Sequence, residues 1–512
     1  MGAGRTEFEL KFTGAPADVA ALPASDFLAA VAPSGGTWER LSSTYFDTAD
    51  GALAAQGLSL RLREEGADFI QAVKARGAHR AERMEYETSI LRAADFPAPT
   101  GDAEVDAVIG GLTGALLPVA GTTVDRWFAV VRFRGADIEF AVDLGRSESR
   151  DREGKIFAGP LAEVELELLS GDPTAVFDFA RLLAANAQLR LRAESKLEAA
   201  LALQATEGPT PRRKKGAIAS EMTGADALAA ALTEGAARMA ALQAPLVDLR
   251  RPEAVHQMRV ELRRLRAIER VFRRYLRSSE IAGLAARAKL IAATLGPARD
   301  WDVFLAETVP AIDADYAADT LKGLKVRSEI LRAQAWARAV AAITDSAFAR
   351  FLIDVTEAGA LQAWRKDARA GLALPVREVA PRILDRSLKK AVKTAAAVKG
   401  VEDLAARHPL RIALKKLRYP VQLFGRLYPK AARKDYMAAL SALQDAFGAI
   451  NDAVTAQHLA DEAAANGGEG AMRAAGFISG YGAAHAREAA KAIDAAFDAF
   501  EKTEPFWRQG KD

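Results

Sequence analysis

Alternation of charged and apolar residues over roughly the first 200 positions constrains this chain more than any other feature. In Glu7-Phe8-Glu9-Leu10-Lys11 an extended backbone puts Glu7, Glu9 and Lys11 on one face and Phe8, Leu10 and Phe12 on the other. Glu163-Val164-Glu165-Leu166-Glu167-Leu168 repeats the pattern with three carboxylates. Ser59, Arg61 and Arg63 share a face opposite Leu58, Leu60 and Leu62, and Arg83 shares one with Glu85 and Glu87. The same reading predicts strands over Phe69–Lys74 and Ala81–Ile90, and a hairpin of Arg126–Arg134 and Asp137–Asp143 joined at Gly135-Ala136-Asp137. A helix is expected over Asp172–Asn186, where Asp172-Pro173 supplies a start.

Strands with one charged face admit two arrangements. In a sandwich the charged face meets water; in a closed barrel it lines a lumen while helices cover the apolar outside. Periodicity does not separate them, but the charges favour the lumen. Glu7, Glu9, Glu139, Asp143, Glu163, Glu165 and Glu167 stand against Lys11, Arg61, Arg63, Lys74, Arg83, Arg126 and Lys196. Carboxylates together with substrate phosphate oxygens suit Mg²⁺, and guanidinium and ammonium groups clamp phosphate.

Composition removes several alternatives. The 512 residues include no cysteine, so disulfides, thiolate catalysis and cysteine-ligated zinc are excluded together. No apolar run approaches the ~20 residues of a membrane-spanning helix, and the charged N-terminal stretch offers no apolar signal core. The expected location is therefore cytoplasmic, with no membrane partner. A net charge of +3 means that any basic site must arise from local clustering.

Glu7-x-Glu9-x-Lys11, the Leu60-Arg61-Leu62-Arg63 strand, Lys74, Asp143, Glu163-x-Glu165-x-Glu167 and Ser195-Lys196 occur in the order seen in the CYTH family. Over residues 5 to 203 the chain resembles these triphosphate tunnel metalloenzymes. The resemblance implies an α+β domain, an eight-stranded antiparallel β tunnel with helices outside, that acts on triphosphates with Mg²⁺ or Mn²⁺. It implies Glu7, Glu9, Lys11, Lys74 and Lys196 as catalytic, and Arg61, Arg63, Arg83 and Arg126 as substrate-binding. Metal ligands would come from Glu7, Glu9, Asp143, Glu163, Glu165 and Glu167; spacing does not say which of the last three bind.

Thr206 to Gly216 carries two prolines, two glycines and the run Arg212-Arg213-Lys214-Lys215, which marks an exposed linker. The expected domains are 1–205 and 221–512, joined by 206–220. Beyond Ser220 the texture is helical and contains a repeat, about 221–370 and 371–512. His256, Arg259, Arg263 and Arg266 recur as His408, Arg411, Lys415 and Arg418 at identical spacing. The register holds over some 45 positions, through Leu295-Gly296 against Phe447-Gly448 and Arg299-Asp300 against Asn451-Asp452. At about 100° per residue, the first basic set and Arg270, Arg273, Arg274 and Arg277 fall in one sector that repels itself. Pro420 is expected to kink or end the second basic helix.

This half resembles the CHAD family over roughly Glu221 to Gln509. The resemblance implies an all-α domain of two repeated helical bundles that binds inorganic polyphosphate through His256, Arg259, Arg263, Arg266, His408, Arg411, Lys415 and Arg418. The combined expectation is a cytoplasmic, metal-dependent inorganic triphosphatase, associated with polyphosphate granules. The alternatives are an adenylate cyclase or a nucleoside or thiamine triphosphatase on the same tunnel, and a non-catalytic polyphosphate scaffold. Nucleic acid is disfavoured, because the first basic helix interleaves only Phe272 and Tyr275 as stacking groups.

Overall fold

The computed structural model describes residues 5–65, 68–76, 82–204, 218–277, 279–315, 321–398, 407–465 and 467–508. The basic run Arg212 to Lys215 lies outside them. The chain divides into two compact units. One is drawn from Met1–Arg212, Ala236–Ala244 and Ile343–Gln362, the other from Arg213–Gly235, Pro245–Ala342 and Ala363–Asp512.

The first unit is built on one antiparallel sheet of β1 (Arg5–Thr13), β2 (Thr37–Asp47), β3 (Leu58–Glu65), β4 (Asp68–Arg76), β5 (Glu82–Ile90), β6 (Leu117–Phe133), β7 (Ala136–Arg150), β8 (Ile156–Ser170) and β9 (Arg190–Arg192). Pairing runs β5-β4-β3-β2-β6-β7-β8-β1 and returns from β1 to β5, which closes the sheet; β9 lies beside the end of β1. Among the described residues the closed ring thus has eight strands, with β9 as a ninth beside it, and β2 was not among the strands read from sequence. The β6–β7 hairpin turns one position earlier than expected. Phe133 pairs with Ala136, and Arg134 and Gly135 both take positive φ, which fits the right-handed twist of the flanking strands. A Cβ at Gly145 would lie 2.1 Å from the Thr123 carbonyl oxygen, so β7 needs glycine where it passes β6.

Helices of this part of the chain are α1 (Pro16–Ala21), α2 (Asp26–Val31), α3 (Ala52–Ala55), α4 (Ala103–Leu112), α5 (Thr174–Asn186) and α6 (Lys196–Ala202). The apolar face of the sheet is covered from outside by α5. Phe8 meets Phe177 edge to face at 5.7 Å, and Phe179 packs on Phe140 at 6.2 Å. Phe12, Phe140, Phe177 and Phe179 are fully buried, and truncating any of them to alanine should cost about 3–5 kcal/mol. With the apolar face turned out under α5, the charged face is turned in.

The helical half continues with α7 (Gly224–Val247), α8 (Pro252–Phe272), α9 (Ser279–Thr294), α10 (Gly296–Val303), α11 (Val309–Asp315), α12 (Lys322–Thr344), α13 (Ser346–Ala360), α14 (Val376–Ala396), α15 (His408–Phe424), α16 (Lys430–Ala464) and α17 (Gly468–Lys502). In the first unit, α13 packs along α5, and Arg181 of α5 reaches Asp354 at 2.7 Å and also Glu357. In the second, α8 packs on α15, with the rings of Phe272 and Phe424 at 6.1 Å. α9 ends at Thr294, and α10 starts after Leu295 with Pro297 in its first turn. At the matching positions Phe447 and Gly448, with no proline following, α16 runs through unbroken. Contrary to expectation α15 does not end at Pro420; it continues to Phe424 with Pro420 buried.

Candidate functional site

On the inner face of the closed sheet, strand register alone brings charges of both signs side by side. Lys11 stands between Glu165 of β8 and Arg192 of β9; Asp143 of β7 stands between Arg126 of β6 and Glu163 of β8. Contacts then cross the interior between strands that are not neighbours. Lys74 Nζ of β4 lies 2.7 Å from Glu7 of β1, and Arg126 of β6 donates to Glu165 of β8. The capping box of Ser195 and Glu198 starts α6 and presents Lys196 to the same place. Lys196 Nζ lies 2.7 Å from Asp143, 2.7 Å from Glu165 and 3.4 Å from Glu163.

Burial makes these pairings strong and their imbalance costly. Asp143 and Glu163 are wholly buried, and Glu7 and Glu9 nearly so. Burial pushes the Glu163 carboxyl above its usual range despite Lys196 and Lys11, and burial with the neighbouring Glu9 does the same to Glu7. For Glu165, burial is outweighed by Lys11, Lys196 and Arg126, which hold the carboxyl well below its usual range. Glu9 is likewise held low against burial by Lys11 and Lys74. Burial also acts on Lys11, Lys74 and Lys196, but their carboxylates outweigh it and raise all three.

Of the neighbouring Arg61 and Arg63, burial is outweighed by counter-charges at Arg61 but not at Arg63. Arg61 lies 3.6 Å from Glu85, and Arg63 is 2.6 Å from Glu65. The Nε atoms of both are buried without a hydrogen bond among the described residues. Burial and Arg61 together pull Arg63 below the usual arginine range. Two guanidinium groups with donors to spare are suited to a polyanion.

Of the expected site residues, Glu7, Glu9, Lys11, Lys74, Arg126, Asp143, Glu163, Glu165 and Lys196 form one interlocked cluster. Glu167 pairs with Glu9 and Glu139 in the ladder, a row away from Lys196's partners. Arg83 is a register partner of Glu7, and its side chain lies outside the described residues. Sequence reasoning put Glu85 on a charged face without naming it for the site, where it lies beside Arg61 and Lys74, and missed Arg192. Arg192 Nη1 donates to Glu163 at 2.8 Å; its signal was Arg190-Leu191-Arg192, the same alternation as Arg61-Leu62-Arg63.

Among the described residues no three of His, Cys, Asp and Glu converge on one point. The reason is visible: Lys11 stands between Glu9, Glu163 and Glu165, and Lys196 between Asp143, Glu163 and Glu165. The donor chemistry nonetheless fits a hard divalent cation. All the acidic donors are carboxylate oxygens, and Glu163 Oε1 is buried with no hydrogen-bond partner.

In the second unit the basic sets lie on α8 and α15. Arg259 Nη1 donates to the Ala292 carbonyl at 3.1 Å, and Gly296 makes room for it, since a Cβ there would lie 2.7 Å from that atom. Desolvation pulls the half-buried His256, Arg259 and Arg411 downward, and Lys415 as well although that residue is exposed. Lys415, crowded by Arg411 and Arg418 of α15 and Arg263 of α8 with Asp452 as counter-charge, falls to about 8. Arg418 hydrogen-bonds Gln444 at 2.6 Å; Arg266 is half-buried and His408 exposed. One expectation is corrected: α8 ends at Phe272, so Arg273, Arg274 and Arg277 do not extend its basic face, and Arg273 turns back to Glu269 at 2.7 Å.

Residues 5–201 match the CYTH domain model and residues 230–461 the CHAD domain model. The chain thus carries a CYTH domain followed by a CHAD domain. The inorganic triphosphatase of Haemophilus influenzae is 30% identical over 170 residues, covering 30% of this chain and 44% of that protein. This chain therefore spans less than half the length of that curated relative. Among solved structures, the CHAD domain from the plant Ricinus communis is similar at 28% identity and a TM-score of 0.49, covering 58% of this chain and 98% of that one. A putative adenylyl cyclase from Hippeastrum, said to reveal a dominant triphosphatase activity, is similar at 17% identity and a TM-score of 0.27, covering 38% and 94%.

Proposed function

We propose that the first unit hydrolyses inorganic triphosphate with the help of Mg²⁺ or Mn²⁺, and that α8 and α15 of the second unit bind inorganic polyphosphate. The observation that carries the first part is the interlocked cluster on the inner face, where buried carboxylates and cations alternate while Arg61 and Arg63 keep unused donors. Identity to an inorganic triphosphatase supports the same reading.

In this reading Lys11, Lys74, Arg61, Arg63, Arg126 and Lys196 bind the phosphate oxygens and hold the chain in line for displacement. Glu7, Glu9 and Glu163, with Glu165 and Asp143, would hold the cation. Bound there, it supplies charge neutralisation at the phosphate oxygens and a more acidic water. Leu41, Val124 and Leu161, buried one step along the inner face from Arg126 and Glu163, form a dry wall that strengthens every charge interaction beside them. In the second unit the proposal rests on like charges gathered on two packed helices, where Arg263 of α8 and Arg411 and Arg418 of α15 crowd Lys415 against the single counter-charge of Asp452.

The deciding experiment is phosphate release from tripolyphosphate, with and without Mg²⁺ or Mn²⁺, beside ATP and long-chain polyphosphate. Metal-dependent release with tripolyphosphate preferred supports the proposal. Cyclic AMP from ATP would replace it with a cyclase, and no release from any of them would leave a binding scaffold. For the helical half, duplex DNA that displaced polyphosphate at equal phosphate concentration would overturn the assignment.

A further inference from the structure

β9 is three residues long, too short to be held by its ladder with β1 alone. Yet it carries Arg192, and four positions later the chain delivers Lys196. Both reach one wholly buried carboxylate. Arg192 Nη1 takes Glu163 Oε2 at 2.8 Å, while Glu163 Oε1 stays free of hydrogen bonds, 3.4 Å from Lys196. Fixing one oxygen of a carboxylate leaves the other aimed in a set direction.

Besides α13, which packs against it, β9 is held by a side chain from far along the chain. Gln243 belongs to the segment Ala236–Ala244, which lies in the first unit although the CHAD model already covers its sequence. Its side chain is 2% exposed, and its Nε2 donates to the Leu191 carbonyl at 2.9 Å. Leu191 sits in the middle of β9, whose only sheet partner among the described residues is β1. Without that amide, the Leu191 carbonyl would lose its donor in a buried setting. Gln243 Oε1 is itself buried without a partner, so this glutamine is kept at some expense, and its bond to β9 is its only one to another element among the described residues.

We infer that Gln243 is a positioning residue of the candidate site: it holds β9 against β1 and, through Arg192, sets the carboxylate of Glu163. The inference rests on the metal-holding role proposed above for Glu163. It makes a residue of the helical half by sequence a determinant of chemistry in the sheet. It also means that the sheet half cut off near residue 205 lacks a part of its own site.

The test is a double-mutant cycle in the full chain with Gln243→Leu and Arg192→Gln. It is read by Mn²⁺ binding without substrate, in an electron paramagnetic resonance titration, and by hydrogen exchange of the β9 amides. Arg192→Gln should weaken Mn²⁺ binding about tenfold or more, Gln243→Leu about three- to tenfold, and the pair no more than Arg192→Gln alone. The β9 amides should exchange faster in Gln243→Leu. Arg181→Gln, a control for general loss of stability in the same unit, should leave Mn²⁺ binding unchanged. If Gln243→Leu weakens binding equally with and without Arg192, or leaves both binding and β9 exchange untouched, the inference is overturned. Gln243→Asn, which keeps the amide and shortens its reach, carries the same expectations should the leucine variant not fold. Wild-type protein that bound no Mn²⁺ would overturn the proposed function instead, and β9 exchange would still decide whether Gln243 braces the strand.

Discussion

Lys196 on the inner face of the sheet and Lys415 on the basic strip are both crowded lysines, and their neighbours drive them in opposite directions. Desolvation disfavours the charge in each case. Around Lys196 it is outweighed by Asp143, Glu163 and Glu165, and the ammonium is stabilised. Lys415 is itself exposed, yet the desolvation it does suffer is reinforced by Arg411, Arg263 and Arg418, and Asp452 does not compensate. The first region carries its own counter-ions and is organised before any ligand arrives. The second gathers cations around Lys415 that Asp452 alone does not offset, which is where the proposed polyanion would bind.

The comparison is broken or sharpened most strongly by removing each ammonium in turn. Lys196→Met leaves three buried carboxylates short of a cation. It should cost about 3–5 kcal/mol in denaturant unfolding and lower triphosphate turnover by at least ~10³. A loss below tenfold would mean that Lys196 serves the fold alone. Lys415→Met should act with the opposite sign on stability, because it relieves repulsion: unfolding at pH 7 should be unchanged or harder. Polyphosphate binding by that variant, followed by titration calorimetry, should weaken about three- to tenfold, the share of one charge-assisted contact among several. A variant that is both less stable and unaltered in binding would remove Lys415 from the strip.

The pH dependence follows from the same pair. With a folded value of about 8 against an ordinary 10.5, Lys415 holds fewer protons in the folded chain than in the unfolded one between those limits. Its destabilising effect is therefore full below about 8 and fades as pH rises toward 10.5. A bound polyanion favours the charged form, so binding above pH 8 must take up a proton. Affinity should fall between pH 7 and 9 at fixed salt, and Lys415→Met should flatten that part of the profile. Lys196, raised by its carboxylates, gives no such slope in that range.

How far these contrasts were legible in the sequence depended on whether a residue's face or its neighbours mattered. The faces of β1, β3 and β8 follow from alternation, which is why Glu7, Glu9, Lys11, Arg61, Arg63, Glu163 and Glu165 could be named together. β2 was missed because its inner positions Glu39, Leu41, Ser43 and Tyr45 share no single chemistry. β9 was missed because the alternation Arg190-Leu191-Arg192 is only three residues long, and Gln243 because one glutamine in a helix announces nothing about a strand some fifty positions away. Same-face carboxylates did not reveal that Lys11 and Lys196 stand between them, since spacing gives direction and not occupancy. In the helical half the basic period ran on to Arg277, but Phe272 ends α8 and Arg273 folds back on Glu269.

The smallest expected effect sharpens the comparison from a third side. Arg181 on α5 pairs with Asp178 of its own helix and with Asp354 and Glu357 of α13, away from the inner face. Its side chain is 28% exposed, so water weakens both the attraction and the cost of losing it. Arg181→Gln should cost about 1–2 kcal/mol, a shift of some 2–8 °C in Tm, with phosphate release unchanged at a temperature where the chain stays folded. These pairs, like those of Lys196, are balanced within the fold; unlike them, they adjoin no unused donor and no orphaned carboxylate oxygen among the described residues. If release nevertheless fell with Arg181→Gln, charge balance on the outside of the sheet would be coupled to chemistry on its inside, and balance alone would no longer separate organising charges from working ones.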